Sequence, residues 1–371
     1  MKILHATTFL NGGAGKVLVD LALLQMEAGH EIRIVANKTE FDQYTHYQEP
    51  LKRLQRAGIQ LETFDSLFKR DTVLNGKAAR DLRSHFSTFS PFDVVHAHAS
   101  VPAKVCKKAF VQFHSRPLFI QTMHGWGLNK SQHMEAEDIK TMNTLDGVAT
   151  LNESGKKLLI SKGVSNSRLH IIPNGISTKL SANSDVSLNL SKFLTCQNWV
   201  LKFLCIGEIG VRKNQIFLMN AIRHLNEMGI RCCAVFMGPE QGEGYFQDCV
   251  KRSATAKMTF WTGEIKNASS HLHHFDAMVL PSKSEGMPIS ILEAFRAKKL
   301  VFGSRISEIE ELIGKRRGIL FGLESTQEFV KCVVNFDTND AQKITENAYN
   351  FFCKQFTLKS MFKAYLKLYQ R

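Results

Sequence analysis

Short apolar runs alternate with longer amphipathic stretches along this chain of 371 residues, and the cadence is played twice. KILHAT opens it, VLVDLALLQMEAG follows with helical periodicity, and EIRIVAN, DVVHAHA, PLFIQTMHG and GVATLN supply further strands. Strands that alternate with helices imply parallel βαβ units. IIPNG at 171–175 reads as the last strand of this half with its turn. Residues 176–198, ISTKLSANSDVSLNLSKFLTCQN, are rich in Ser and Asn and weakly periodic, as a linker or a cap between domains is. The cadence restarts with WVLKFLCIGEIG and runs through CCAVFMG, MTFWTG, AMVLPS and KLVFGSR. The fold class is therefore α/β, with two doubly wound parallel-sheet domains facing one another across a cleft, because open parallel sheets place ligands outside the carboxyl ends of their strands. The expected boundaries are 1–178 for the first domain, 179–198 for the linker, 199–350 for the second domain and 351–371 for a terminal amphipathic helix.

A length of 371 residues exceeds what one core usually supports and suits two domains of ordinary size. With 44% hydrophobic and 22% charged residues the composition is that of a soluble globular chain. No apolar stretch approaches the roughly 18 to 20 residues that span a bilayer. MKILHATTFL runs directly into a strand, without a long apolar region and a small-residue cleavage site, so secretion is not expected. Eight cysteines are scattered without a CxxC, several inside apolar runs where a thiol serves as a small hydrophobe, which points to a reducing cytoplasm.

The net charge of +14 is evenly spread, with 23 basic and 16 acidic residues in 1–180 and 25 and 18 in the rest. Such a balance favours anionic partners: nucleotides, nucleic acid, or the acidic inner face of a membrane. A nucleic-acid binder needs concentrated basic stripes with stacking aromatics, and the even spread argues against it. Residues 66–90, SLFKRDTVLNGKAARDLRSHFSTFS, mix Phe and Leu with Lys and Arg and read either as a membrane-surface helix or as a solvated helix with an inward apolar face.

The run EGMPISILE places Glu285 and Glu293 with seven residues between them, Gly286, Met287 and Pro288 coming directly after the first. Proline suits the first turn of a helix, which ISILEAFRAKK is composed to continue. Gly286 and Met287 then lie at a helix N-terminus, whose free N–H groups attract an anion such as phosphate. Glu285 precedes the helix and Glu293 sits about a turn and a half into it. An ordinary amphipathic helix with a surface Glu at each end explains the same spacing.

GGAGK at 12–16 fails as a nucleotide P-loop, since position 10 is Leu where that motif needs Gly and Val17 replaces the Ser or Thr that holds magnesium. Its glycines still make a turn between strand and helix where a ligand can approach the backbone, as a plain tight turn also would. His96 and His98 share one face of a strand as zinc ligands must, but no third ligand is evident. HLHH at 271–274 and HMEAED at 133–138 lack a metal spacing and no DxD occurs, so no catalytic metal is expected. His124, at the end of the TMHG strand, is placed at the cleft, as is the Arg212–Lys213 pair of GEIGVRKN.

These motifs, taken in order, resemble a family. GGAGK, VVHAHA, TMHG, IIPNG, GEIGVRKN, FWTG and PSKSEGMPISILEA cover nearly the whole chain, and their sequence is similar to that of the retaining nucleotide-sugar glycosyltransferases of the GT-B fold, family 4 and group 1 type. The resemblance implies two Rossmann-like domains, a first for the acceptor and a second for the donor, and a terminal helix that crosses back to the first. It implies transfer of a sugar from a UDP- or GDP-linked donor to a hydroxyl of a glycan or lipid-linked acceptor, with retained anomeric configuration, in bacterial lipopolysaccharide, capsule or exopolysaccharide synthesis. Cofactors are not implied, and the location is the cytoplasm, at the cytoplasmic face of the inner membrane, with peripheral contact to its anionic surface.

Residue by residue, the resemblance gives Glu285 to the donor sugar, the segment Gly286, Met287, Pro288 and Ile289, through the amides of all but the proline, to the diphosphate or sugar, and Glu293 to the ribose hydroxyls. Lys213 and Arg212 neutralise the diphosphate, Gly238 lies by the donor, and the turn from Gly263 to Ile265 meets the base. Gly12, Gly13 and Gly15 approach the phosphates or the acceptor, and His124 stands near the reacting carbon. His124, Glu285 and Lys213 are the expected catalytic set. One departure stands out: the family's Arg after the strand-end Gly is here Glu208, which either points away while Arg212 compensates or alters donor binding. A catalytically inactive nucleotide-sugar-binding protein of the same fold is the alternative.

Overall fold

The computed structural model describes residues 1–370 apart from 41–44, 90, 112–114, 128, 129, 181–186, 241 and 243. Part of the expected linker, residues 181–186, thus lies outside the described residues. The chain forms two compact units, Met1–Gly175 with Leu358–Arg371, and Ile176–Thr357.

The first unit holds a seven-stranded sheet built from β1 (Lys2–Ala6), β2 (Glu31–Asn37), β3 (Leu61–Phe64), β4 (Val94–Ala97), β5 (Leu118–Met123), β6 (Gly147–Thr150) and β7 (Leu169–Ile171). Their order is β3-β2-β1-β4-β5-β6-β7 and every pair is parallel. Helices α1 (Gly12–Glu27), α2 (Gln48–Arg56), α3 (Thr72–His85), α4 (Ser100–Phe110), α5 (Gln132–Met142) and α6 (Glu153–Ser161) make the crossovers.

The second unit begins with α7 (Leu188–Thr195), inside the segment whose composition suggests a linker. Its six-stranded sheet has β8 (Leu201–Ile206), β9 (Cys232–Met237), β10 (Thr259–Trp261), β11 (Ala277–Leu280), β12 (Leu300–Ser304) and β13 (Ile319–Phe321), ordered β10-β9-β8-β11-β12-β13, again all parallel. Between and after them come α8 (Gln215–Glu227), α9 (Tyr245–Ser253), α10 (Ile289–Arg296), α11 (Ser307–Ile313), α12 (Thr326–Val334) and α13 (Ala341–Gln355). The last helix, α14 (Leu358–Tyr369), belongs to the first unit. Among the described residues no helix is long and apolar enough to cross a membrane.

Both sheets are doubly wound, and each reverses direction beside its first strand, between β1 and β4 and between β8 and β11. Strands such as VVHA of β4 and AMVL of β11 are buried along their whole length, because helices cover both faces of a parallel sheet. That is why their sequences run apolar rather than alternate.

Several expectations need correction. The IIPNG strand lies earlier, at Leu169–Ile171: Ile172 still donates its N–H to the Thr150 carbonyl at 2.8 Å, but Pro173 has no N–H with which to continue. The glycines of GGAGK are not a loop between strand and helix but the first turn of α1, closed by Gly15 N–H donating to the Asn11 carbonyl at 2.9 Å. Gly15 has a local reason, since a Cβ there would come within 2.7 Å of the Leu10 backbone. Pro288 is the residue before α10, with extended ψ of 108°, rather than a member of its first turn. Strands β3 and β13 escape the sequence pattern because they are three or four residues long and only partly buried. Of the two readings of 66–90, the described helix α3 takes the inward face, burying Ala78, Ala79 and Leu82.

Candidate active site

At the switch point of the second sheet, the loops after β8 and β11 come together. Gly207 to Lys213 follows β8, and buried Gln215 staples it, its Nε2 donating to the Glu208 carbonyl at 2.9 Å while Gly210 N–H donates to its Oε1 at 3.1 Å. Asn214 takes a left-handed conformation (φ 57°) between this turn and α8. The loop after β11 is joined to it by Lys283 N–H donating to the Arg212 carbonyl at 2.9 Å. Three charged side chains therefore meet on backbone held from both sides.

Lys213 Nζ donates to Glu285 Oε1 at 2.6 Å, and Arg212 Nη1 donates to Glu285 Oε2 at 3.3 Å and to the Ser284 carbonyl at 3.1 Å. The Glu285 side chain is 6% exposed and Lys213 11%, against 40% for Arg212. Burial pushes the Glu285 carboxyl up, but Lys213 and Arg212 outweigh it and hold it below the usual carboxylate range. The trio is ionised with one positive charge in excess, and the half-exposed partner is Arg212. Glu208 is half-buried on the same turn, and both cations are engaged by Glu285 instead.

Helix α10 starts just beyond, so Gly286, Met287 and Pro288 lead from Glu285 to an N-terminus whose first helical residue is Ile289. Glu293 is buried one turn further on. Arg296, unnoticed in the sequence, anchors this helix by donating to the carbonyls of Ser177 and Lys179 at 3.1 Å each and to Ser269 Oγ at 3.3 Å.

Neighbouring strand ends add bare backbone. Gly238, after β9, donates its N–H to the Gly263 carbonyl at 2.9 Å, while Trp261 Nε1 donates to the Gly238 carbonyl at 2.9 Å. Gly238 has φ +154°, and a Cβ there would fall 2.1 Å from the Gly207 carbonyl oxygen. Only glycine allows β8 and β9 to end this close together. Ile265 is half-buried two residues past Gly263.

In the first unit, Gly12 and Gly13 are exposed at the start of α1 and Gly15 is buried beneath them. His124 follows β5, and its Nε2 lies 3.0 Å from His98 Nδ1. Its other ring nitrogen, Nδ1, is buried with no partner among the described residues. Burial lowers the His124 pKa to about 4, so the imidazole is neutral near pH 7.

The His96–His98 pair does have a third imidazole, contrary to expectation: His5 of β1 sits in register with His96, and ligand atoms of the three lie within 4.8 Å of one another. Their six ring nitrogens are nonetheless engaged, by His98, Gln25, Tyr369, Thr122 and His124 as well as His5. Sequence reading misses this cluster because β1 and β4 are neighbours only through the crossover. The HMEAED carboxylates are likewise taken, Glu135 by Lys162, Glu137 by Arg70 and Lys104, and Asp138 by Arg70 and Lys130.

Two doubly wound parallel sheets, the second carrying a stapled cationic turn and a helix N-terminus at its switch point, define the class of protein as a GT-B-fold enzyme scaffold. Residues 11–180 match the family described as Glycosyltransferase Family 4, and residues 201–339 match Glycosyl transferases group 1. The chain belongs to the GT-B glycosyltransferases of this family 4 and group 1 type. It is 23% identical to EpsF of Bacillus subtilis (strain 168) over 313 residues, 79% of this chain and 76% of that protein. It is 22% identical over 277 residues to the UDP-Gal:alpha-D-GlcNAc-diphosphoundecaprenol alpha-1,3-galactosyltransferase of Escherichia coli, covering 69% of this chain and 70% of that one. Among solved structures, Anabaena Alr3699/HepE in complex with UDP and glucose superposes with a TM-score of 0.80 at 18% identity, over 99% of both chains.

Proposed function

We propose that this glycosyltransferase moves a sugar, with retention of anomeric configuration, from a UDP- or GDP-linked donor to a hydroxyl of a glycan or lipid-linked acceptor in bacterial surface polysaccharide synthesis. The observation that carries the reading is the ionised Glu285 held by Lys213 and Arg212 at the switch point. An incoming diphosphate adds negative charge where one positive charge is in excess, and both cations then stabilise it as it leaves. Electrostatic stabilisation of a developing anion by preorganised groups is the largest contribution such a site makes. The N-terminus of α10 adds the positive end of its dipole. Released from one cation, Glu285 accepts from a sugar hydroxyl, and Glu293 takes the ribose hydroxyls.

That positive charge comes from side chains and amides, so the proposed reaction uses neither a metal nor a cofactor. The HepE complex with UDP and glucose supports a UDP-linked donor, and the diphosphoundecaprenol acceptor of the E. coli relative supports a lipid-linked acceptor. The proposed station is accordingly the cytoplasmic face of the inner membrane, with no nucleic acid among the partners.

Titration with a panel of UDP-, GDP- and ADP-sugars, together with analysis of the product by NMR, tests the reading. The expected result is release of the nucleoside diphosphate and an axial or equatorial linkage matching that of the donor. Arg212→Ala is expected to weaken donor binding about tenfold or more, by loss of a charged hydrogen bond, and Glu208→Ala far less. Donor binding without release identifies an inactive binding protein, and equal or reversed effects of the two substitutions remove Arg212 from its assigned role.

A further inference from the structure

Behind His124 runs a continuous hydrogen-bond chain that the transfer reaction as described does not use. His98 Nδ1 lies 3.0 Å from His124 Nε2, and His98 Nε2 lies 3.0 Å from His5 Nδ1. His5 Nε2 lies 2.7 Å from Gln25 Oε1, and Gln25 Nε2 donates to the Tyr369 hydroxyl at 3.3 Å. Tyr369 lies 2.6 Å from His96 Nδ1, His96 Nε2 is 2.7 Å from Thr122 Oγ1, and Thr122 is 2.8 Å from the Tyr365 hydroxyl. Apart from His124, which is half-buried, all of these residues are buried, and all belong to the first unit.

A neutral imidazole donates from one nitrogen and accepts at the other, so each link dictates the next. Burial keeps the rings neutral, lowering His5 to about 4 and His96 and His98 well below the ordinary value. Gln25 is the one group in the chain whose two ends differ chemically. Its carbonyl faces His5, which must therefore donate from Nε2 and accept at Nδ1. His98 must then donate from Nε2 to His5 and accept at Nδ1, and His124 must donate from Nε2 to His98. On the other side the Gln25 amide donates to Tyr369, which donates to His96 Nδ1, leaving His96 Nε2 to donate to Thr122. The two directions agree at every link.

We propose that Gln25, through His5 and His98, fixes the tautomer of His124 so that its buried, unpartnered Nδ1 is a standing hydrogen-bond acceptor for a hydroxyl donor. The ligand class is a sugar hydroxyl, which rests on the function proposed above; the tautomer itself rests only on the chain. Gln25, His5 and His98 are positioning residues, acting through His124. The opposite setting of the Gln25 amide would reverse every link and place all four imidazole protons on Nδ1, so the four tautomers stand or fall together.

The test is long-range ¹H–¹⁵N NMR of the full-length protein labelled with ¹⁵N-histidine at pH 7, assigned by single substitutions. The expected result is that His5, His96, His98 and His124 are each protonated at Nε2; protonation of His124 at Nδ1 overturns the proposal. Gln25→Glu retains an acceptor for His5 and is expected to leave His124 in its Nε2-protonated form, whereas Gln25→Met removes it and is expected to give a mixture of both forms. A structural role for Gln25 predicts no change at His124 in Gln25→Met, and that result also overturns the proposal. If Gln25→Met fails to fold, the wild-type spectrum decides. No substrate enters the measurement, so inactivity toward every nucleotide sugar would sink the functional reading and leave the tautomer result standing.

Discussion

Glu285 shows how a single side chain can be both costly and useful. A carboxylate that is 6% exposed loses most of its hydration, and ionisation survives only because two cations lie within hydrogen-bond reach. Its reach from β11 to the turn after β8 needs only that those strands be neighbours. The residue is legible because Gly286 and Pro288 follow it and the run ISILEAFRAKK behind them suggests a helix start. Gln215 is not, since a glutamine one residue past an Asn has no distinguishing pattern until the loop folds around it.

The histidines make the pH dependence a residue-scale matter. His5 has a folded-state pKa of about 4 against an ordinary 6.5, so the unfolded chain binds the extra proton first. The stability from keeping it neutral is fully present above pH 6.5, declines as the pH falls, and is gone below about 4. The slope for each such imidazole is at most about 1.4 kcal/mol per pH unit. Denaturant unfolding at pH 7.5, 6 and 5 is expected to show this fall, and His5→Leu to flatten it while lowering the plateau at pH 7.5. An unchanged slope in that variant would show that His5 titrates alike in both states.

At the scale of elements, the donor-side surface depends on how closely β8 and β9 end. A methyl group at position 238 would lie 2.1 Å from the Gly207 carbonyl oxygen, and the backbone there has φ +154°. Gly238→Ala is therefore expected to destabilise the second unit by about 2 kcal/mol or more, read from thermal melts, because both obstacles are backbone rather than a mobile side chain. Melting within a degree of wild type would mean that the loops separate freely. The cadence of strands and helices was readable because burial on both faces forces apolar runs, whereas β3 and β13, short and partly exposed, leave no such trace. The start of α1 was misread for a related reason: glycine argues against helix by propensity, yet contact between Gly15 and Leu10 requires it there.

At the scale of the whole molecule, the last helix is structurally part of the first unit although it follows the second in sequence. Tyr365 and Tyr369 of α14 bury their hydroxyls against Thr122, His96 and Gln25. A chain ending at residue 357 is expected to show faster amide exchange throughout β4 and β5, with β8, β9, β11 and β12 unchanged. Equal protection in the first sheet with and without α14 would make the helix an accessory.

The sequence by itself determined the doubly wound class and the two repeats of the cadence, because these follow from local periodicity, and it singled out Glu285, Arg212 and Lys213 through the motifs that carry the family resemblance. Only the tertiary structure decided what those groups touch. Glu285 pairs with Lys213 across 72 residues, and His5 meets His98 across 93. Such contacts depend on strand order, which local sequence does not encode; a parallel crossover brings distant segments side by side, and the direction of a buried hydrogen-bond chain exists only once all its members are in place.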